Sequence, residues 1–220
     1  MATPTIEAVL WDFGGVILTS PFDAFAAYEA EHGLPNGFIR HINAANHHTN
    51  AWARLERGEL DPDGFAAEFE VEARELGGEV SGARILELLA GEIRPEMITA
   101  LDRCRAAGLR TACLTNNIVS WEADVDHDPV LASRAVQIAA IMSRFDVIVE
   151  SSVIGVRKPE PHFYEVACEL LAVSPEACVF LDDLGINLKP ARAMGMTTIK
   201  VTEPDAALAE LEAVLGLDLR

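Results

Sequence analysis

The chain has 220 residues, 35 of them acidic and 17 basic, and carries a formal charge of −18. With a pI near 4.6 it lacks the clustered Lys and Arg that counterion release from nucleic acid, or attraction to anionic lipid, requires. Half of the residues are hydrophobic, the balance of a globular chain with one or two domains rather than of a disordered one.

The first element in chain order is an apolar run, Ile6 to Trp11, that stops at Asp12-Phe13-Gly14-Gly15, a buried strand running into a glycine loop. Residues 19–95 then carry helical stretches, such as Phe22 to Glu31 and Phe65 to Leu76, and no convincing strand. Asp61-Pro62 has the form of a helix cap with proline in the first turn, and Ser81 is placed to cap the helix Ala83 to Ala90. From residue 96 onward, apolar strands alternate with helical periods. The strands are Arg110 to Thr115, Asp146 to Glu150, Ala177 to Leu181 and Thr197 to Val201. Phe163, Val166, Ala167, Leu170 and Leu171 mark one face of the helix that follows Pro159. Asn117 to Asp128, which holds Trp121 and His127, reads as an acidic surface loop.

Strands alternating with helices give an α/β class: a doubly wound, Rossmann-like parallel sheet with an inserted helical domain. The core is expected over residues 1–18 and 96–220 and the insertion over 19–95. No stretch is apolar enough to span a bilayer, and Met1 to Glu7 shows no secretory pattern. Cys104, Cys113, Cys168 and Cys178 lie in apolar runs without a Cys-x-x-Cys pair, as reduced packing residues of a cytoplasmic protein would.

In such sheets ligands sit beyond the carboxyl ends of the strands, and the polar residues gather there. Asp12 is placed either as a nucleophile or as a turn-forming Asp bonded to the following amides. Thr115-Asn116-Asn117 either holds phosphate oxygens or makes an ordinary Asn-rich turn. Lys158, just ahead of a helix start, either neutralises a transferred phosphoryl group or is a solvated surface lysine; Arg157 is the lesser candidate. Asp182-Asp183, adjacent carboxylates directly after an apolar strand, suit Mg²⁺ or else cap the next helix.

Together, VLWDFGGV, CLTNN, GVRKPEP and VFLDDLGINLKPARAMGM resemble, in order and spacing, the four motifs of the haloacid dehalogenase superfamily of hydrolases. The wording is similar to that of the phosphatase-like domain at the N-terminus of soluble epoxide hydrolases. The resemblance covers essentially the whole chain. It implies a phosphatase of a small phosphorylated metabolite, with Asp12 as nucleophile and Lys158 orienting and neutralising. It also implies phosphoryl binding by Thr115 and Asn116. Mg²⁺ would be held by Asp12, the Gly14 carbonyl and Asp183, supported by Asp182, and Asn187 would tie down the fourth loop. The helical insertion would be a cap that selects substrate.

Phosphatases of the superfamily usually carry an Asp acid-base two residues after the nucleophile, and here that residue is Gly14. The glycine keeps two alternatives open: a 2-haloacid dehalogenase working through an aspartyl ester, and a degenerate domain that binds a phosphorylated ligand without turnover. It also raises the question of whether Gly14 has a positive φ that a side chain would resist. His47 and His48 of the insertion are either substitute proton donors or solvated polar residues. The expected partner is a small molecule, with no nucleic acid or membrane, and a homodimer is compatible with the sequence.

Overall fold

The computed structural model describes residues 5–116 and 129–220; the expected acidic loop with Trp121 and His127 lies outside them. Five parallel strands, β1 (Ala8–Trp11), β2 (Arg110–Thr115), β3 (Val147–Glu150), β4 (Cys178–Asp182) and β5 (Thr197–Lys200), form one sheet in the order β3-β2-β1-β4-β5. The first strand is therefore central. All of β1 and β4 is buried, as a parallel sheet covered on both faces demands.

Side-chain alternation along β1 divides the core. Val9 and Trp11 pack with Cys113, Val179 and Leu181 under α6 (Pro95–Ala106) and α11 (Pro204–Leu215). Ala8 and Leu10 face α9 (Pro161–Leu171) and α10 (Gly185–Ala193) through Leu114, Phe163, Tyr164, Phe180 and Leu188. Helices α7 (Pro129–Met142) and α8 (Ser151–Ile154) flank β3 in sequence. All four cysteines are buried free thiols divided between these two clusters, and burial pushes the Cys104 thiol up to about 12. No helix among the described residues is long and apolar enough to cross a membrane.

Between β1 and α6 the chain leaves the sheet and returns. Leu18 bridges Ile93 in antiparallel fashion, the Thr19 N–H donates to the Glu92 carbonyl at 2.8 Å, and the Arg94 N–H donates to the Ile17 carbonyl at 2.9 Å. Beyond that pair stand α1 (Phe22–Glu31), α2 (Phe38–Ala44), α3 (Ala51–Glu56), α4 (Pro62–Glu75) and α5 (Gly82–Leu88), gathered round a hydrophobic cluster of their own. Asp61 caps α4 by accepting from the Gly64 N–H at 2.7 Å, and Ser81 caps α5 by accepting from the Arg84 N–H at 3.3 Å.

The short helices α2 and α3 have no counterpart in the sequence reading. Their lengths, 7 and 6 residues, are too short for an amphipathic period to register. Asn50 links them. Its side chain accepts from the Ala53 N–H at 2.9 Å, capping α3, while donating to the Ala45 carbonyl at 2.8 Å beyond α2.

Phe69 is fully buried in this second cluster, its ring 5.1 Å from that of Phe65. Phe69→Ala removes a large side chain that the surrounding helices cannot replace. It should cost about 3–5 kcal/mol of stability, measured by urea unfolding.

Candidate active site

The strand register sets the site. Trp11 pairs with Cys113 on one side and Leu181 on the other, so Asp12, Leu114 and Asp182 emerge at one level of the carboxyl edge. The connections from β1 to β2 and from β4 to β5 run to opposite sides of the sheet. The crevice between β1 and β4 is therefore a topological switch point. Asp12 and Asp182 flank it.

Lys158 lies at the centre of the cluster, 1% exposed. Its ammonium reaches Asp12 Oδ1 at 2.8 Å and Asp182 Oδ2 at 2.8 Å, and donates to the Leu114 carbonyl at 2.8 Å. The surface-lysine alternative is thereby ruled out. Burial alone would lower the ammonium, but Asp12 and Asp182 outweigh it and hold Lys158 protonated.

The backbone of Lys158 is held as well. Its N–H donates to Asn116 Oδ1 at 2.8 Å and its carbonyl accepts from Asn116 Nδ2 at 3.0 Å. The side chain of Asn116 thus bridges the loop after β2 to the loop before α9. Thr115, also buried, ends β2 beside it.

Asp12 is 7% exposed, and its Oδ1 also accepts from the Phe13 N–H at 2.6 Å. Both contacts fall on Oδ1. Burial pushes the Asp12 carboxyl well above its ordinary range, Lys158 pulls it back, and Asp182 and Asp183 push it up again. Asp183 is likewise raised, first by burial and then by Asp182, and its Oδ2 accepts from the Ser20 hydroxyl at 3.0 Å. Ser20, on the outgoing connection to the inserted helices, had no signal in the sequence.

Asp182 has a different role. It is fully buried and accepts from Lys158, from the Leu184 N–H at 2.8 Å and from Asn187 Nδ2 at 3.1 Å. Asn187 is held in turn by the Tyr164 hydroxyl, which donates to its carbonyl at 2.6 Å. Asp182 is spent on positioning, and a ligand would meet Asp12 and Asp183.

The glycines divide their roles in a way the sequence did not separate. Gly14 has φ −70° and ψ 133°, an ordinary extended conformation, and a Cβ built there meets nothing within 4 Å. Gly15 is the one with φ +78°, and a Cβ there would sit 2.3 Å from the Asp183 carboxylate. The first and fourth loops meet because Gly15 has no side chain. Arg94 secures the arrangement by donating to the Gly15 carbonyl at 2.7 Å.

The carboxylate oxygens of Asp12, Asp182 and Asp183 lie within 4.8 Å of one another. Three carboxylates, two of them buried and Asp183 half-buried, leave a net of two negative charges against one ammonium when all are ionised. A divalent cation that prefers hard oxygen ligands fits this set, with Asp12 and Asp183 as its anionic contacts and the Gly14 carbonyl on the same loop.

His47 and His48 stand apart from this cluster. Both are exposed, with their rings 3.9 Å apart, and their backbone carbonyls, not their imidazoles, accept from Arg157 and Arg57. Sequence reasoning also missed Glu56, the last residue of α3, which reaches Asn116 and Arg157 from the inserted helices.

A family model described as haloacid dehalogenase-like hydrolase matches residues 6–195. Acyl-CoA dehydrogenase family member 10 of Mus musculus is 35% identical over 97% of this chain and 19% of its own length. Bifunctional epoxide hydrolase 2 of Sus scrofa is 32% identical over 97% of this chain and 40% of its own. The chain therefore spans well under half the length of these relatives. Sesquiterpene phosphatase astK of Aspergillus oryzae is 26% identical over 96% of this chain and 98% of its own.

Among solved structures, a haloacid dehalogenase family enzyme of Bacteroides thetaiotaomicron in complex with magnesium and inorganic phosphate superposes with TM-score 0.55. It is 22% identical, over 90% of this chain and 96% of its own. L-2-haloacid dehalogenase of Xanthobacter autotrophicus with chloropropionic acid covalently bound gives 0.59 at 20% identity, over 98% and 89%.

Gly15→Ala should displace Asp183 and weaken Mg²⁺ binding by at least about tenfold in calorimetric titration, since it removes or misplaces an anionic ligand. Gly14→Ala, with open space and a compatible φ, should leave binding unchanged and raise stability by about 0.4–1 kcal/mol in thermal melting.

Proposed function

The chain belongs to the haloacid dehalogenase-like hydrolase family, and from that premise we propose that it is a Mg²⁺-dependent phosphatase of a small phosphorylated metabolite. The observation that carries this reading is the cluster of three carboxylates, two of them buried and paired with the single Lys158 ammonium and the third, Asp183, half-buried beside them. Attack at carbon needs no cation, and one lysine with one nucleophilic aspartate would suffice for it. The excess of carboxylate is what a divalent metal and phosphoryl chemistry call for. A phosphatase among the relatives of near-equal length adds support.

Asp12, through Oδ2, attacks phosphorus in line with the leaving oxygen; the aspartyl-phosphate bond forms as the ester P–O bond breaks, and the departing alkoxide takes its proton from solvent. Water then attacks that phosphorus, releasing orthophosphate and restoring Asp12. Lys158 keeps its positive charge throughout, oriented by Asp182 and the Leu114 carbonyl, and neutralises the nucleophile and the phosphoryl oxygens. Thr115 and the main chain at Asn116 receive the phosphoryl oxygens. Mg²⁺, when bound by Asp12, Asp183 and the Gly14 carbonyl, supplies Lewis-acid stabilisation of the developing charge. Helices α1–α5 act as the cap, and residues 19–95 are its extent.

Gly14 favours a second reading. With no side chain there to protonate a leaving oxygen, and open space around its Cα, the site suits an alkyl halide, whose leaving group needs no proton. The two readings part on metal. Asp12→Asn should abolish turnover under either, in a protein that circular dichroism shows to be still folded. On phosphate esters EDTA should abolish wild-type turnover, whereas full activity towards 2-haloacids in EDTA would establish the dehalogenase. A wild type inert on both substrate classes would make the chain a binding domain.

The same geometry makes Gly14→Asp informative, because the backbone there accepts a side chain without strain. If phosphoryl transfer lacks an acid, Gly14→Asp should raise kcat on a phosphate ester with a poor leaving group by about 10²-fold. It should change kcat on p-nitrophenyl phosphate little. No gain in a folded, Mg²⁺-binding variant would show that protonation of the leaving group is not limiting.

A further inference from the structure

We infer that Glu56 is a positioning residue for Lys158, through which the inserted helices set the geometry of the site; the inference rests on Lys158 being catalytic, as proposed above. Glu56 ends α3 and is 8% exposed. Two hydrogen-bond donors and one guanidinium, in an ion pair, converge on its carboxylate. Trp52 Nε1 donates to Oε1 at 2.9 Å, Arg157 Nε lies 2.6 Å from Oε2, and Asn116 Nδ2 donates to Oε2 at 3.4 Å. The main-chain carbonyl of Glu56 accepts from the Ser151 hydroxyl at the start of α8. One residue of the insertion thus meets the loop after β2, the loop before α9 and the end of β3.

Asn116 is the intermediary. An amide side chain can turn over, exchanging its oxygen and nitrogen, and each orientation must satisfy what surrounds it. Here the Lys158 N–H requires an acceptor on one side, while the Lys158 carbonyl and the Glu56 carboxylate require a donor on the other. The two Lys158 groups select this orientation, and the Glu56 carboxylate, which only accepts when ionised, reinforces it and ties the amide to the inserted helices. With the orientation fixed, Asn116 holds both backbone polar groups of Lys158, and the ammonium is delivered between Asp12 and Asp182. Arg157, next in sequence to Lys158, is gripped by the same carboxylate and also donates to the His47 carbonyl of the insertion at 2.9 Å. Two adjacent residues of the lysine loop are therefore read by the inserted helices.

A carboxylate is required because two of its partners are donors and the third is a guanidinium. In Glu56→Gln the amide nitrogen must face a donor whichever way it turns, either Trp52 or the pair Asn116 and Arg157. Glu56→Asp keeps two accepting oxygens, one methylene short.

The test uses the whole chain with wild type, Glu56→Gln, Glu56→Asp, Asn116→Ala and the double variant Glu56→Gln/Asn116→Ala. Two readouts are taken. Steady-state kinetics on a phosphate ester with Mg²⁺ should show Glu56→Gln losing kcat by at least about tenfold with KM changed less than about twofold. Glu56→Asp should recover part of the loss, and the double variant should lose no more than Asn116→Ala alone.

The second readout needs no turnover. Amine acylation followed by peptide mass spectrometry reports the exposure of Lys158, with the exposed Lys189 and Lys200 as internal references. Lys158 should be protected in wild type and labelled several-fold faster in Glu56→Gln and Asn116→Ala, at unchanged melting temperature. Wild-type kcat and wild-type protection of Lys158 in Glu56→Gln would overturn the inference. If wild type hydrolyses no phosphate ester, the phosphatase reading fails separately, and the labelling alone decides the role of Glu56.

Discussion

A single ammonium, sealed from solvent and shared between two carboxylates and a strand carbonyl, is the constraint on which the rest of this structure depends. Lys158 cannot leave its place without stranding Asp12 and Asp182 in a low-dielectric interior, a loss on the scale of breaking a buried ion pair, about 3–5 kcal/mol. Both carboxylates belong to the ends of neighbouring strands, so the sheet register and the charge cluster enforce each other. A slip of β4 against β1 by one residue would move Asp182 to the opposite face and leave the lysine half-satisfied.

The surrounding loops can be understood as ways of holding that cluster. Asn187 and Leu184 take the Asp182 oxygens that Lys158 leaves, so the residue is saturated and rigid. Gly15 gives up its side chain so that the fourth loop can approach the first, and Arg94 grips the carbonyl of that glycine from the returning connection. Ser20 and Arg94 lie on the outgoing and returning connections, so the link to the inserted helices is hydrogen-bonded directly to Asp183 and to the Gly14-Gly15 loop. The inserted helices are thereby tied to Asp183 through the connection and to the Lys158 loop through Glu56.

How much of this was legible in the sequence follows from the range of each interaction. Asp12, Thr115 and Asp182-Asp183 could be found because each ends a short apolar run, and parallel strands bring their carboxyl ends together whatever the loops between them do. Lys158 could be named but not placed. Its backbone is bonded by Asn116, which is 42 residues away, and its ammonium by Asp12, Asp182 and the Leu114 carbonyl. Ser20 and Glu56 left no mark, since a serine in a connection and a glutamate at the end of a six-residue helix look alike whether they face solvent or a carboxylate cluster. The positive φ belonged to Gly15, not Gly14. A Gly-Gly pair states that one residue needs freedom without stating which, and only the closeness of Asp183 decides it.

Charge gives the proposed chemistry an order of events. The chain is −18 overall, and long-range attraction of an anionic substrate is unfavourable at low salt and largely screened at physiological ionic strength. Locally the cluster already holds two negative charges more than Lys158 can balance, and a phosphomonoester would bring nearly two more. Such a substrate could not settle beside Asp12 and Asp183 while both are ionised and uncompensated. Their raised protonation equilibria express that cost in the absence of a cation. Under phosphoryl chemistry a divalent cation is thus a condition for binding before it is a contributor to reaction, and affinity for the phosphorylated substrate should depend on its concentration. Under carbon chemistry the carboxylic 2-haloacid brings only one charge and the Asp183 carboxylate serves no purpose. The placement of Asp183, held by Ser20 and accommodated by the bare Cα of Gly15, is therefore a feature of two loops that supports the phosphoryl reading.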